Sequence, residues 1–226
     1  MPSDMTPYLR ATPVIEAEDP MVTAFAKKAI RDASDAQTLA VRLYYAVRDE
    51  IRYDPYSIDL SVDGLRAGTT LESGRGWCVA KAILLAACCR AMRIPARLGF
   101  ADVRNHLSTE RMRALMKTDV FYWHGYTSIR IDNAWVKATP AFNIELCRRF
   151  SIKPLEFDGQ NDSLYHSFDL NGNRHMEYLN HRGEFADAPI DAIRETFIRE
   201  YMPGDNWQKG DFDREVKTET AGNPKA

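Results

Sequence analysis

Residues 74–95 read GRGWCVAKAILLAACCRAMRIP, and this stretch decides the fold that we expect. After Cys78, apolar residues recur at the spacing that places them on one face of a helix: Ile83, Leu84, Ala87, Ala91 and Met92. The helix should end before Pro95, because a proline disfavours the helical conformation of the residue preceding it. The glycines before Cys78 indicate a turn. The sequence therefore predicts a buried helix whose first turn begins at Cys78.

A cysteine at a helix start has distinctive chemistry. The first turn of a helix carries unpaired N–H groups and a partial positive charge. These features stabilise a thiolate, so we expect a lowered pKa for Cys78, and the same N–H groups can bind the oxyanion of an acyl-transfer reaction. Gly74 and Gly76 would let a substrate approach the backbone closely. The alternative is that Cys78 is a small buried apolar residue, as many free cysteines are.

The composition is that of an ordinary globular protein, with 226 residues of which 45% are hydrophobic and 27% charged. The net charge of −2 gives no reason to expect nucleic acid or an anionic membrane as a partner. No run approaches the roughly 18 apolar residues of a membrane span, and the first residues lack the apolar core of a signal peptide. We therefore expect a cytoplasmic protein without a membrane partner.

The cysteines and histidines give no metal-binding pattern. There are four cysteines, none in a C-x-x-C pair: Cys78, Cys88, Cys89 and Cys147. A common type of zinc site is therefore not indicated, and disulfides are not expected in a reducing compartment. His166 and His175 lack a third ligand at metal-site spacing. We expect neither a metal nor a dissociable cofactor.

The flanking sequence predicts helices before the Cys78 stretch and a sheet after it. Asp19 and Pro20 are typical of a helix start, and a second helix should begin near Asp35. Residues 57–73 have the composition of a loop. After the central helix, aromatic and β-branched residues predict three strands, with a tight turn at Asp132-Asn133. These strands cover residues 96–103, 121–130 and 134–137.

The rest of the chain gives weaker signals. A short helix should follow a cap at Ser108, and a last helix should open at Ala188-Pro189. Residues 174–179 fit either a strand or a helical turn. The polar end of the chain predicts flexibility. We therefore expect a single domain over residues 1–202 and a flexible tail over residues 203–226.

His124 is the candidate base. It lies among aromatic residues in the strand predicted over residues 121–130. A cysteine nucleophile needs a base within hydrogen-bond reach. Packing the central helix on the sheet would bring Cys78 and His124 together, and we expect the sulfur and an imidazole nitrogen to lie within about 4 Å. The alternative is a core histidine whose ring is bonded to a backbone carbonyl.

Further motifs accompany Cys78 and His124: the helix ending VRDEIRY at 47–53, the Gly76-Trp77-Cys78 turn, the Ile94-Pro95-Ala96-Arg97 ending and the Asn133-Ala134-Trp135-Val136 return. Over about residues 35–145 the chain thereby resembles the transglutaminase-like superfamily, which shares a papain-like core. The resemblance implies an α+β fold, in which a central helix bearing the cysteine packs on an antiparallel sheet bearing the histidine. It also implies a Cys–His–Asp triad acting on amide bonds through a thioester, with Cys78 as nucleophile and His124 as base.

The sequence departs from the family pattern at the third member of the triad. Alignment on Trp135 puts Thr139 at the aspartate position, whereas alignment on the Ala-Thr-Pro motif puts Lys137 there. Neither is a carboxylate. We therefore expect Asn143, or as second choice Thr139, to orient the His124 ring by accepting a hydrogen bond. Three carboxylates are further candidates: Asp102, Asp132 and Asp169.

The sequence thus predicts a thiol-dependent enzyme that transfers or hydrolyses the acyl group of a protein, peptide or other amide substrate. Its thioester would be resolved by water or by an amine. The rival interpretation is a non-catalytic binding module that keeps the fold and has lost the triad aspartate. Retention of both Cys78 and His124 favours the enzyme, and the missing carboxylate favours the rival.

Overall fold

The computed structural model of the chain describes residues 4–106, 108–201 and 210–221. Its α-helices are α1 (Pro20–Ile30), α2 (Ala36–Glu50), α3 (Val62–Leu65), α4 (Ala67–Ser73), α5 (Cys78–Ala91), α6 (Glu110–Met116), α7 (Ile144–Arg149), α8 (Ile190–Tyr201) and α9 (Phe212–Thr220). Its strands are β1 (Arg52–Tyr53), β2 (Arg75–Gly76), β3 (Ala96–Asn105), β4 (Val120–Ile131), β5 (Ala134–Ala138) and β6 (Met176–Phe185). Short 3-10 helices cover Thr6–Tyr8 and Pro55–Ser57.

The main sheet has four strands in the order β5-β4-β3-β6, and each neighbouring pair is antiparallel. The pairing of β3 with β4 runs from Ala96 opposite Ile129 to Arg104 opposite Val120. The short strands β1 and β2 form a separate parallel pair. Helix α5 packs against β3 and β4. This arrangement confirms the predicted α+β class, with the cysteine helix packed on the antiparallel sheet.

Helix α5 is the centre of the core. It begins at Cys78, as the sequence predicts, and Trp77 occupies the N-cap position. The sequence pattern indicated one apolar face, but every residue from Cys78 to Arg90 is buried. The difference arises because α1, α2 and α4 cover the helix on the sides that the sheet leaves open. A helix enclosed in this way has little polar surface, so its apolar residues need not follow one stripe.

Two cationic side chains of α5 are buried together with the apolar ones. The Lys81 ammonium donates to the carbonyls of Arg48, Ile51 and Ala141, at 3.0, 2.5 and 2.8 Å. Burial lowers the pKa of Lys81 to about 7. The Arg90 guanidinium donates to the Ala96 carbonyl at 3.0 and 2.8 Å. Lys81 therefore connects the end of α2 and the chain that follows β5 to the first turns of α5.

Strand β4 approaches the start of α5 very closely at Gly125. A Cβ atom at this position would lie 2.9 Å from the Cα of Val79. Two residues further along the strand, the Thr127 hydroxyl donates to the Ala82 carbonyl at 2.8 Å. The absence of a side chain at Gly125 thus allows the strand to lie directly against the first turn of the helix.

Most of the predicted elements occur in the structure, although several boundaries differ. Asp19 caps α1, accepting from the N–H groups of Met21 and Val22, and β3, β4 and β5 cover the three predicted strands. Thr109, rather than Ser108, caps α6. Residues 57–73, predicted as a loop, contain α3 and α4, and the ambiguous residues 174–179 enter β6.

The end of the chain also differs from expectation. Part of the stretch predicted as a flexible tail forms α9, in which Phe212 and Val216 are buried. The Phe212 ring contacts Tyr53 and Tyr56 at centroid distances of 5.7 and 6.0 Å. The remainder of the predicted tail, at 203–209 and 222–226, lies outside the described residues. None of the helices described combines the length and the apolar character of a membrane-spanning segment.

The Gly125→Ala substitution tests the close approach of β4 to α5. We expect it to reduce the free energy of unfolding by about 1–3 kcal/mol, because the new methyl group meets backbone atoms that cannot move away. Urea unfolding followed by circular dichroism measures the change. Gly68→Ala is the matched control, since its Cβ would meet only the flexible Glu16 carboxylate at 3.0 Å. Equal stability of the two variants would contradict the packing argument.

Candidate active site

Cys78 is the first residue of α5, and its side chain is almost completely enclosed. The sulfur accepts backbone hydrogen bonds from Gly125 and Val79, together with its own N–H group. Two of these donors belong to the first turn of α5, and the third belongs to the strand that crosses it. The sequence-based expectation of N–H groups directed at the thiol therefore agrees with the structure.

The protonation state of Cys78 differs from the expectation. Burial raises the pKa of the thiol to about 11, and the hydrogen bonds from Gly125 and Val79 oppose this shift without reversing it. The helix start was expected to lower the pKa. It does not do so here because the sulfur is withdrawn from water, which disfavours the charged form. In this arrangement Cys78 is a neutral thiol at pH 7.

A small cavity borders the sulfur. It holds about 20 Å³ and is walled mostly by aromatic and methionine side chains. These come from β1, the 3-10 segment that follows it, β4 and the helices α6 and α8. They include Tyr53, Trp77, Met112, Met116, Phe197 and Tyr201. The surroundings of the thiol are therefore apolar, and Met112 and Met116 provide adaptable parts of the wall.

His124 lies on β4, opposite Ala101 of β3, and is buried. Its Nε2 atom is enclosed and has no hydrogen-bond partner among the described residues. Burial, with a smaller contribution from the nearby His175 ring, lowers the pKa of the imidazole to about 4. His124 is consequently neutral at pH 7, the form in which an imidazole can accept a proton.

The backbone places Cys78 and His124 side by side. The Gly125 N–H that reaches the sulfur is one peptide unit from the Cα of His124, so the sulfur lies within about 7 Å of that Cα. The His124 side chain, however, lines a different cavity from that of the thiol, together with Thr139 and His175. The structure thus brings the two residues together on the backbone, with their side chains lining separate cavities.

Asp102 holds the backbone that precedes His124. Trp123 has a φ of 58°, and the pairing of β3 with β4 is irregular between Ala101 and Val103. At this bulge the Asp102 carboxylate accepts from the Trp123 N–H at 3.2 Å and from Arg182 Nε at 2.7 Å. Asp102 was a candidate for the third triad position, but its carboxylate hydrogen-bonds to Trp123, Asn180 and Arg182.

The other candidates for the third position make no hydrogen bond to the His124 ring in the described part of the chain. Asn143 Oδ1 accepts from the Tyr53 N–H at 3.1 Å. Asp132 lies in the β4–β5 turn with a φ of 46°. Asp169 accepts from the N–H groups of Asn171 and Asn173, each at 2.8 Å. Thr139 lines the same cavity as His124, but its Oγ1 atom is buried and finds no hydrogen-bond partner in the part of the chain that the structure describes.

His175 is the residue of this site that sequence reasoning missed. It immediately precedes β6, and the sequence suggested it only as an unsupported metal ligand. The pairing of β6 with β3 brings it to the His124 cavity, a contact across 51 positions of the chain that no local pattern indicates. Among the described residues, no three His, Cys, Asp or Glu side chains are arranged to hold a metal ion.

A comparison with known protein families identifies the class of this protein. Residues 23–140 match the model of the transglutaminase-like superfamily. Because this match covers more than half of the 226 residues, the chain belongs to the transglutaminase-like superfamily. The matched region contains Cys78, His124 and Thr139, whereas Asn143 and His175 lie beyond it.

Two solved structures show distant similarity. A crystal structure from Cytophaga hutchinsonii, described as a candidate cysteine protease, has a TM-score of 0.48 and 18% identity over 62% of this chain and 43% of that chain. A candidate protease from Parabacteroides distasonis has a TM-score of 0.38 and 16% identity over 53% and 23% of the respective chains. This chain thus spans less than half of either structure. No curated protein sequence matches it.

The buried neutral His124 predicts a loss of stability in acid. Its pKa is about 4 when folded against an ordinary 6.5, so the unfolded chain binds the additional proton between these values. The contribution of neutral His124 to the free energy of unfolding is complete above pH 6.5. It is lost as the pH falls to 4, which lowers the free energy of unfolding by about 3 kcal/mol. Urea unfolding at pH 7, 5.5 and 4.5 should show a steeper decline for the wild type than for His124→Asn. His181→Asn, in an exposed part of β6, is the control, and identical slopes for wild type and His124→Asn would contradict the prediction.

Substitution of Asn143 tests whether its hydrogen bond with the Tyr53 backbone stabilises the fold. In the structure it accepts from the Tyr53 backbone, so Asn143→Ala should reduce the free energy of unfolding by about 1–2 kcal/mol. Asn143→Asp keeps an acceptor oxygen and should lose less. Urea unfolding of both variants at pH 7 measures this difference. A full-stability Asn143→Ala protein would show that the Tyr53 contact has no structural value.

Proposed function

We propose that this protein is a cysteine-dependent acyl-transfer enzyme acting on amide or peptide bonds. The observation that supports this function is the position of the Cys78 sulfur. It lies at the first turn of α5 and accepts hydrogen bonds from Gly125 and Val79. Gly125 is the neighbour in β4 of the buried, neutral His124. A nucleophile, a set of oxyanion donors and a proton acceptor are thereby available at one place.

The reaction begins from two neutral groups. As the sulfur forms a bond to the substrate carbonyl carbon, the thiol proton passes to His124, and the carbonyl electrons move to the oxygen. The N–H groups at the start of α5 stabilise this oxyanion. When the tetrahedral intermediate collapses, the carbon–nitrogen bond breaks and the His124 proton goes to the leaving nitrogen. A thioester on Cys78 remains.

The second half of the reaction restores the thiol. Water or an amine loses a proton to His124 while it attacks the thioester carbon, and the departing sulfur regains that proton. His124 Nε2 is buried without a hydrogen-bond partner among the described residues, and the side chain lines the cavity separate from the thiol, so we assign these transfers to Nδ1. A neutral resting pair needs no prior charge separation, and the reaction creates charge only where the N–H groups can stabilise it.

The walls of the site indicate the substrate class. The cavity beside Cys78 is apolar, so the acyl group should carry an apolar or aromatic side chain. Tyr53 also borders a polar surface groove of about 420 Å³, which contains Arg52, Asp54 and Arg75. A peptide or protein chain could follow this groove while its acyl side chain displaces the apolar cover of the thiol.

Two further residues have supporting roles in this proposal. Thr139 lies with His124 in the enclosed cavity and belongs to the group that orients the imidazole. Asn143 acts on the other side of the site, because it fixes the backbone of Tyr53, which walls the thiol pocket. Asn143 thus has a positioning role different from the one suggested by the sequence.

A non-catalytic binding module is the second candidate. It is favoured by the enclosure of the thiol, whose pKa is raised to about 11, and by the hydrogen bonds that Asp102 and Asn143 make to groups other than His124. In that case the apolar pocket would bind a side chain of a partner without chemistry at Cys78.

The decisive experiment is acylation of Cys78 by peptide p-nitroanilides that differ only in the acyl residue, with Phe, Leu, Gly or Glu. We expect p-nitroaniline to be released fastest from the substrates with Phe or Leu. Mass spectrometry of rapidly quenched samples should show the mass of the acyl-enzyme. Cys78→Ala should lower the rate at least 10³-fold, because the nucleophile is lost. Adding alkylamines shows whether the acyl group is transferred to an amine or hydrolysed by water.

Cys89→Ala is the matched control, since it removes a cysteine from the buried middle of the same helix. It should retain the acylation rate of the folded wild-type protein. Wild-type activity in Cys78→Ala, or binding of the peptides without any acyl-enzyme or product, would contradict the enzymatic function. The second of these results would favour the binding module.

A further inference from the structure

The cavity at His124 is separate from the thiol pocket, and several polar side chains interrupt its largely apolar lining. It holds about 20 Å³, which is room for one water molecule. His124, Thr139 and His175 line it, and these residues are only 3%, 3% and 4% exposed. A cavity of this size with buried polar groups in its wall can hold a single small molecule that hydrogen-bonds to them.

Four polar atoms of the residues that line this cavity are buried without a hydrogen-bond partner among the described residues. They are Nε2 of His124, Oγ1 of Thr139 and both ring nitrogens of His175. An unsatisfied buried polar group costs about 1–3 kcal/mol. Since these atoms do not hydrogen-bond one another, a molecule between them is the simplest way to satisfy His124, Thr139 and one ring nitrogen of His175.

His175 is held in place by its backbone and its ring face, although its ring nitrogens have no partner within residues 4–106, 108–201 and 210–221. Its N–H donates to the Ser167 carbonyl and its carbonyl accepts from the His106 N–H, both at 2.9 Å. The ring stacks on Phe142, with centroids 6.0 Å apart and planes at 26°. Phe142 in turn meets Tyr53 edge-on at 4.8 Å. The fold therefore fixes the position of the imidazole and leaves its polar atoms available.

We infer that one buried water bridges His124 Nε2, Thr139 Oγ1 and a ring nitrogen of His175, and that His175 is thereby a positioning residue for His124. The Nε2–H group donates to the water oxygen, and the water donates to Thr139 and to His175. This network fixes the His124 tautomer with Nδ1 free to accept a proton. The inference deepens the proposed function and rests on it for the catalytic consequence.

The charges around His175 are compatible with this network. Burial lowers the pKa of His175 to about 4, so a ring nitrogen can accept from the water at pH 7. The titratable groups that face it are His106, His166 and Asp169, in addition to His124. A water held by two neutral groups orients the imidazole as a triad aspartate would, while giving the imidazolium less electrostatic stabilisation.

The first test observes the ring directly, without substrate. In wild-type protein labelled with ¹⁵N-histidine, the NMR shifts of His124 should show the Nε2–H tautomer at pH 7. His175→Ala and Thr139→Val each remove one water partner and should give a mixture of both tautomers. His181→Asn is the control, because its ring bonds Tyr126 on the sheet at 2.7 Å and does not line the cavity. Wild-type shifts in both cavity variants would overturn the inference.

The second test follows the p-nitroanilide reaction of the same proteins. His175→Ala and Thr139→Val should lower kcat by about tenfold to a hundredfold with little change in KM, as expected when orientation of a reacting group is lost. Free imidazole at millimolar concentration should restore part of the kcat of His175→Ala and none of that of Thr139→Val. Unchanged kcat in both variants would overturn the positioning role. Activity that survives in Cys78→Ala would instead contradict the proposed function, whereas the NMR shifts would still decide the water site.

Discussion

The close packing of helix α5 on strand β4 is the constraint on which the site depends. Gly125 permits it, because any side chain there would meet the backbone of Val79. The contact places the start of the helix across the strand, and so it places the Cys78 sulfur beside the backbone that carries His124. A looser contact would separate the thiol from both the Gly125 N–H and the candidate base. The geometry of the site is therefore a consequence of core packing rather than of a flexible loop.

The same burial that creates the site also sets its charge state. Withdrawal from water raises the pKa of Cys78 to about 11 and lowers those of His124 and Lys81 to about 4 and 7. The thiol and the imidazole are accordingly both neutral at rest. Lys81 has its three donors occupied by backbone carbonyls, which hold the segments around the site together. In the proposed reaction, charge would form only during the chemical step, where the N–H groups at the start of α5 can stabilise it.

Much of the fold could be predicted from local patterns. The start of α5 at Cys78, the cap of α1 at Asp19 and the three strands β3, β4 and β5 follow from turn residues, capping residues and strand propensity. These signals are local, since each depends on residues a few positions apart. Strand β6 was predicted only as one of two alternatives for residues 174–179, and helix α9 was not predicted. Weak local patterns become regular structure there only through pairing with β3 and through packing of Phe212 on Tyr53.

The sequence by itself determined the transglutaminase-like family and singled out Cys78 and His124, because these residues lie in motifs whose spacing is local. Only the tertiary structure decided which groups surround them. It assigned Asn143 to the Tyr53 backbone, Asp102 to the bulge before His124, and His175 to the His124 cavity. It also reversed the expected pKa shift of the thiol. These results depend on desolvation and on contacts between distant parts of the chain, which no pattern of neighbouring residues can specify.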